Sequence, residues 1–338
     1  MAVTQVCHAA KTQDRCATFA YGNAMNRQIL IGYLYAASGA ALFSTKAIFI
    51  KLAYMDKVDA ALMLALRMMT AAPFFLTVAI FTMWRRWSTG QPLPPLKAWI
   101  AAAALGLFGF YVSAWFDFAG LQYITAQLER LLLFTYPVMV MVLGALFFGQ
   151  HIGIRGVIGA LVTYAGLGVV FLTAREIGGS NLYLGVGLVL ACAFIFALQQ
   201  LFSKSVIKDM GSILFTCVVM ISATPACMAH YVIQSGDYYF IATTRFYWLA
   251  AGCGFFATVL PGFLMNASLA KVSAQSTSMI ASISPVITIV LAVWVLGEQF
   301  TWNDAVGAAM VIIGIFIFAT DNKKQAAPKE TLAEMETV

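Results

Sequence analysis

The sequence predicts an all-α membrane protein of ten transmembrane helices, arranged as two five-helix repeats that thread the bilayer in opposite senses. Three observations carry this. Of 338 residues, 62% are hydrophobic and only 10% charged, against roughly 45–50% and about 25% in soluble domains. Ten apolar runs follow one another, at 29–52, 59–84, 97–119, 124–149, 154–174, 183–206, 211–234, 246–270, 274–297 and 302–320. Each approaches the ~20 residues that cross the hydrocarbon. The chain also matches itself. At a constant offset of 148, Ala126 meets Ala274, Gln127 meets Gln275, Pro137 meets Pro285, Gly149 meets Gly297, Gly159 meets Gly307 and Gly166 meets Gly314. Further upstream, at an offset of 153, Gly32 meets Gly185 and Lys51 meets Lys204. An odd number of spans per copy makes the second copy enter from the opposite side, the architecture of many secondary transporters.

Residues 1–28 lack the apolar core of a signal peptide and read as a disordered cytoplasmic tail. Within them Met25 opens "MNRQILIGYLY", which suggests a start there or a dispensable preceding segment. Residues 29–174 form the first repeat. Span 1 carries Lys46 and span 2 Arg67. Span 3 carries Tyr111, Trp115 and Asp117, with the two aromatics one turn apart and able to stack on a flat or cationic ligand. Span 4 carries Glu129, Arg130 and Pro137. Residues 183–320 form the second repeat, in which polar but neutral residues replace the charges. Gln199 stands where Lys46 was, Thr277 where Glu129 was, and Ser278 where Arg130 was, with Gln200, Asn266 and Gln275 near them and Pro285 matching Pro137. Both prolines remove a backbone hydrogen bond and invite a bend. The glycines of spans 5 and 10 permit close helix packing. Residues 321–338 read as a second solvated tail.

Loop charges set the orientation. With both termini cytoplasmic, the inner segments hold 13 cations, namely Lys11, Arg15, Arg27, Arg85, Arg86, Lys97, Arg155, Lys204, Lys208, Lys271, Lys323, Lys324 and Lys329. The outer loops hold four: Lys51, Lys57, Arg175 and Arg245. The asymmetry predicts cytoplasmic termini. Trp84, Trp87, Trp99, Trp248 and Trp302 fall at span ends and suit an interfacial belt.

The five ionisable residues inside spans 1–4 would each cost roughly 2.5–3.5 kcal/mol if central and unpaired. At 1.5 Å per residue, Lys46 lies about 9 Å, Arg67 about 12 Å, and Glu129 with Arg130 about 8–9 Å from the outer ends of their spans. Asp117 is close to the outer end of span 3. Residues far apart in sequence thus share one height. Glu129 and Arg130 are neighbours on a helix and point about 100° apart, so each needs a partner elsewhere. Glu129 is expected on Lys46 or Arg67, and Asp117 on another cation. One positive charge is left over for a substrate carboxylate or phosphate, which an Arg holds bidentately. The cluster is expected to serve as an outer gate or substrate anchor; ion pairs that only fix helix register are the alternative.

The six cysteines show no zinc spacing, and His8, His151 and His230 are too few and scattered for a buried metal or a histidine-based mechanism. No nucleotide-binding motif is present, so ATP does not drive the protein. No cofactor and no nucleic-acid partner are expected.

Four segments carry a resemblance to a known family: "LFSTKAIFIKLAY" in span 1, "LALRMMTAAPFF" in span 2, "LERLLLFTYPVMVMVLGALFFGQ" in span 4, and "SISPVITIVLAVWVLGEQFTWNDAVGAAMVIIG" in spans 9–10. The chain resembles the drug/metabolite transporter superfamily in its ten-helix EamA-type family, from about Gln28 to Thr320. The closing "LGE" is a usual mark of it; the first copy has Gln150 where the second has Glu298. The resemblance implies cytoplasmic termini and a central cavity lined by the first four helices of each half. It also implies a multi-pass protein of the cell membrane, the bacterial inner membrane for this variant, which exports or exchanges small polar metabolites such as amino acids. The partners expected are that substrate, the lipid bilayer and, where transport is proton-coupled, a proton. If transport is proton-coupled, Glu129 is the first candidate carrier. Monomer and homodimer stay open, as do two rival functions, a lipid-modifying intramembrane enzyme and a drug efflux pump of the same fold.

Overall fold

The computed structural model describes residues 28–149, 153–177, 181–235, 243–269, 271–272, 280 and 283–317. The expected tails, Met25 with them, and Gln275, Thr277 and Ser278 of span 9 lie outside the described residues, save Gln28 at the edge of the first tail. Among the described residues eight helices are long and apolar enough to cross a membrane: α1 Gln28–Tyr54, α2 Ala60–Ser88, α3 Leu96–Gly120, α4 Ala126–Phe147, α5 Ile154–Leu172, α6 Leu182–Met210, α7 Ser212–Ser235 and α8 Thr244–Ser268. Two shorter apolar helices complete the ten, α9 Ser284–Leu296 and α10 Trp302–Ile317. In lipid every backbone polar group needs an internal partner, which helices supply from their own chain.

The inverted repeat is visible in the packing. α2 packs on α7 and α4 on α9, each helix against its own counterpart. The other main contacts come in matched pairs: α3 on α6 is repeated as α8 on α1, and α4 on α6 as α9 on α1. The local irregularities are matched too. α3 contains a π-helical stretch at Leu105–Tyr111 and α8 one at Phe255–Val259. α2 carries Pro73 and α7 Pro225 inside the helix. Gly149 and Gly297 close α4 and α9 with φ of 62° and 68°, a left-handed cap that glycine adopts without a Cβ penalty.

Two helices, α1 and α4, are interrupted near the middle of the bundle, and α9 starts at the matching place. Pro137 has no N–H for the carbonyl of Leu133, and its ring crowds that oxygen. α4 accordingly breaks at Phe134–Thr135 and restarts at Tyr136, with Pro137 in the first turn of the new segment. Pro285 holds the same place in α9, after Ile283 with nearly the same backbone angles as Thr135. The prolines therefore open new helical segments. α1 breaks without a proline, at Thr45, whose hydroxyl donates to Leu42 O at 2.6 Å and whose N–H donates to the same carbonyl at 3.0 Å. The counterpart of α1, helix α6, runs unbroken from Leu182 to Met210.

α5 and α10 meet through glycines. A Cβ on Gly166 would stand 2.7 Å from Gly307 O, and one on Gly307 would stand 2.7 Å from Gly166 O. Gly307→Val is expected to lower stability by about 1–3 kcal/mol through overpacking, whereas Gly168→Ala, which meets nothing within 4 Å, is expected to leave it unchanged. Thermal unfolding in detergent checks both.

Candidate functional site

α1, α3 and α4 place their charges against one another. Lys46 Nζ stands 2.5 Å from Asp117 Oδ2 and 3.1 Å from Glu129 Oε1. One ammonium thus serves both carboxylates, where separate cations were expected. Removal from water is nearly complete: relative exposure is 4% for Lys46, 4% for Asp117, 0% for Glu129, 2% for Arg130 and 4% for Arg67. Ions so buried persist only when paired and hydrogen-bonded, since desolvation costs several kcal/mol per ion. Two carboxylate oxygens, Asp117 Oδ1 and Glu129 Oε2, nevertheless have no hydrogen-bond partner among the described residues.

Among the described residues Arg130 meets no carboxylate. Its Nε donates to Thr288 Oγ1 of α9 at 3.0 Å and its Nη2 to Phe43 O of α1 at 2.8 Å. Thr288 Oγ1 also donates to Ser44 O at 3.3 Å, and the Ser44 and Ser284 hydroxyls are 2.7 Å apart. The break at Thr45 frees these α1 carbonyls, and Arg130 and Thr288 satisfy them. Arg130 therefore ties three elements, one of them from the other repeat, and the Phe43 ring lies 5.1 Å from its guanidinium carbon.

Arg67 sits differently. Its Nε donates to Thr258 Oγ1 at 2.8 Å, within the π-helical stretch of α8. Its guanidinium carbon lies 5.2 Å from the Phe118 ring and 6.0 Å from Phe110, distances at which a cation is held by the ring face. Among the described residues no carboxylate is within salt-bridge distance of it. Cys227 and Cys253 are within its electrostatic reach from α7 and α8.

Tyr111 and Trp115 share a partner that the sequence reading set aside. The Tyr111 hydroxyl is hydrogen-bonded to His230 Nδ1 of α7 at 2.7 Å, and the Trp115 and His230 rings are 5.3 Å apart. One turn further along α7, Gln234 lines a cleft of about 760 Å³ that also includes Asp56, Asp59, Leu62 and Tyr231. At that end Arg245 pairs with Asp56 at 3.1 Å.

In the second repeat, Gln199 is buried over the bare Cα of Gly109, and its Oε1 has no partner among the described residues. Gln200 is exposed and Asn266 half-buried. Neither joins the ionic group, because the inversion places them toward the opposite end of the bundle.

Three contributors escaped the sequence reading. Thr258 and Thr288 gave no signal, since a threonine in an apolar helix commonly bonds its own backbone. Glu298 did give one, as a carboxylate directly after a helix-ending glycine. It accepts from Ala126 N at 2.7 Å and Gln127 N at 3.3 Å. It caps α4, where the helix macrodipole favours negative charge.

Comparison with known proteins agrees with this architecture. The model of the EamA-like transporter family matches residues 30–172 and again 183–320. The uncharacterized transporter YcbK of Bacillus subtilis (strain 168) is 27% identical over 308 residues, covering 87% of this chain and 93% of that protein. An uncharacterized transporter of Archaeoglobus fulgidus is 26% identical over 218 residues, covering 63% of this chain and 75% of its own. A solved crystal structure superposes with a TM-score of 0.58 at 16% identity, over 85% of this chain and 97% of that one, and so shares the fold. Two family units in tandem, each of five helices and packed in inverted pairs, make this multi-pass membrane protein a member of the EamA-like transporter family, within the drug/metabolite transporter superfamily.

Proposed function

We propose that the protein is a secondary transporter that exports small polar metabolites bearing a carboxylate or phosphate, by alternating access between the two repeats. The observation that carries this is Arg67. Of the three buried cations, Lys46 is held by two carboxylates and Arg130 by a carbonyl and a hydroxyl of two other helices. Arg67 has one hydroxyl and two aromatic faces. A buried guanidinium without a carboxylate suits a planar anion, which it can grip through two parallel N–H donors. The broken helices α1 and α4 meet the start of α9 beside the ionic group, and such discontinuities let packed segments rock against each other.

The loop cations support the orientation: the end of the bundle bearing Asp56, Asp59 and Arg245 faces outward, and both termini face the cytoplasm of a bacterial cell. The test is counterflow in proteoliposomes with radiolabelled amino acids and sugar phosphates, beside neutral sugars and cationic dyes. Accumulation of an acid-bearing compound, competed only by other acids, is the expected result. Accumulation of cationic dyes alone would favour drug efflux.

A further inference from the structure

Three buried acceptor atoms lack a donor among the described residues, and two of them belong to one site: Asp117 Oδ1 and Glu129 Oε2. Lys46 occupies the other oxygen of each carboxylate, Oδ2 and Oε1. The two carboxyl groups also stand within hydrogen-bonding reach of each other. An ionised carboxylate only accepts, so neither can satisfy the other while both are ionised. A single proton changes that. Bonded to an oxygen of one carboxyl, it is donated to the other, as in carboxyl pairs that cannot both ionise at close range.

We propose that Asp117 and Glu129 hold one transported proton between them, and that Lys46 is the internal cation competing with it for the pair. The proton comes from water at one end of the bundle, forms one O–H bond on the pair, and leaves to water at the other. Its binding loosens the hold of the carboxylates on Lys46, and with it the tie between α1 and α3–α4. That tie lies beside the break at Thr45, where α1 has no continuous backbone ladder to oppose movement.

The surroundings are consistent with a pair that is tuned and not merely buried. Arg67 from α2 and Tyr54 from α1 are within electrostatic reach of Asp117. Arg130 beside it on α4 and Lys51 from α1 are within reach of Glu129. Cys192 of α6 reaches both carboxyls, and Cys253 of α8 reaches Asp117. Titration belongs to the pair rather than to either residue. Glu129 alone was the candidate on sequence grounds; the geometry makes Asp117 its equal.

That the proton is carried across rests on the transporter reading, but proton binding at the pair can be tested without a substrate. Purified protein in lipid nanodiscs is taken through a pH jump, and infrared difference spectra record the carboxylic acid band while a pH-sensitive dye counts protons. One titrating proton per chain at the pair is expected, its band altered both in Glu129→Gln and in Asp117→Asn. An unchanged band in Asp117→Asn places the proton on Glu129 alone and overturns the proposal. So does the absence of any titrating carboxyl in the wild type. Neither failure touches counterflow, which tests the transporter reading by itself.

Discussion

Lys46→Met is expected to destabilise the protein by about 3–5 kcal/mol, the usual cost of stripping one partner from a buried ion pair. The ammonium is the hydrogen-bond donor found for Asp117 Oδ2 and for Glu129 Oε1 alike. Methionine fills much the same volume and leaves two buried carboxylates without their shared cation. Each must then take up a proton or remain an uncompensated charge. The effect is specific to charge, so Lys46→Met combined with Asp117→Asn is expected to recover part of the loss, because only Glu129 is then left without its cation. Thermal unfolding in detergent, with the three variants as a double-mutant cycle, measures the coupling. A Lys46→Met protein as stable as the wild type would mean that the ammonium contributes packing and no more.

Arg67→Gln is expected to have the opposite profile, with stability nearly kept and transport lost. Thr258 Oγ1, which accepts from Arg67, also donates to Cys253 O at 3.1 Å, so the hydroxyl keeps a partner when the guanidinium goes. No described carboxylate is left stranded. A charge-assisted hydrogen bond contributes about 1.5–3 kcal/mol, which at 1.4 kcal/mol per tenfold is about a 10- to 100-fold loss of apparent affinity for an acid-bearing substrate. Arg67→Lys keeps the charge without the fork and is expected to fall between the two. Concentration dependence of counterflow separates them. An Arg67→Gln protein with unaltered affinity would move the anion site elsewhere, with Arg130 next in line.

The contrast among the three buried cations shows what was readable in the sequence and what was not. Their existence and common height were readable, because a charge in an apolar run stands out and helical rise converts residue number to depth. Their partners were not. Lys46 and Arg130 are 84 positions apart in a chain whose helices meet side by side, and rotation about each helix axis decides who touches whom. The sequence offered Glu129 either of two cations, and gave Asp117 a separate one. In the folded chain a single lysine lies between α3 and α4, and two arginines fall to hydroxyls, a carbonyl and aromatic rings. Periodicity cannot anticipate such partners, because threonines and backbone carbonyls occur all along apolar helices.

The fold itself was far more legible. Paired prolines and glycines at one constant offset are hard to produce by chance, and they marked the two repeats; that Gly149 and Gly297 would be left-handed caps was not read from them. The π-helical stretches of α3 and α8 were silent, since "LGLFGFY" and "FFATV" are ordinary apolar text and the extra residue per turn is set by packing. The break in α1 was equally silent, for Thr45 looks no different from other threonines in spans. His230 was passed over because the histidines are few and scattered, yet it is the residue to which Tyr111 and Trp115 both turn.

The central claim is that the region around Arg67 is reached alternately from the two faces of the membrane. Cys253, fully buried beside Arg67 and Lys46, is a native reporter of this. In a protein with the other five cysteines replaced by alanine, a membrane-impermeant thiol reagent is applied to vesicles from either face separately. The account predicts that Cys253 is modified from both faces, and more slowly from each when an acid-bearing substrate is present. Modification from one face only, or from neither, would contradict it.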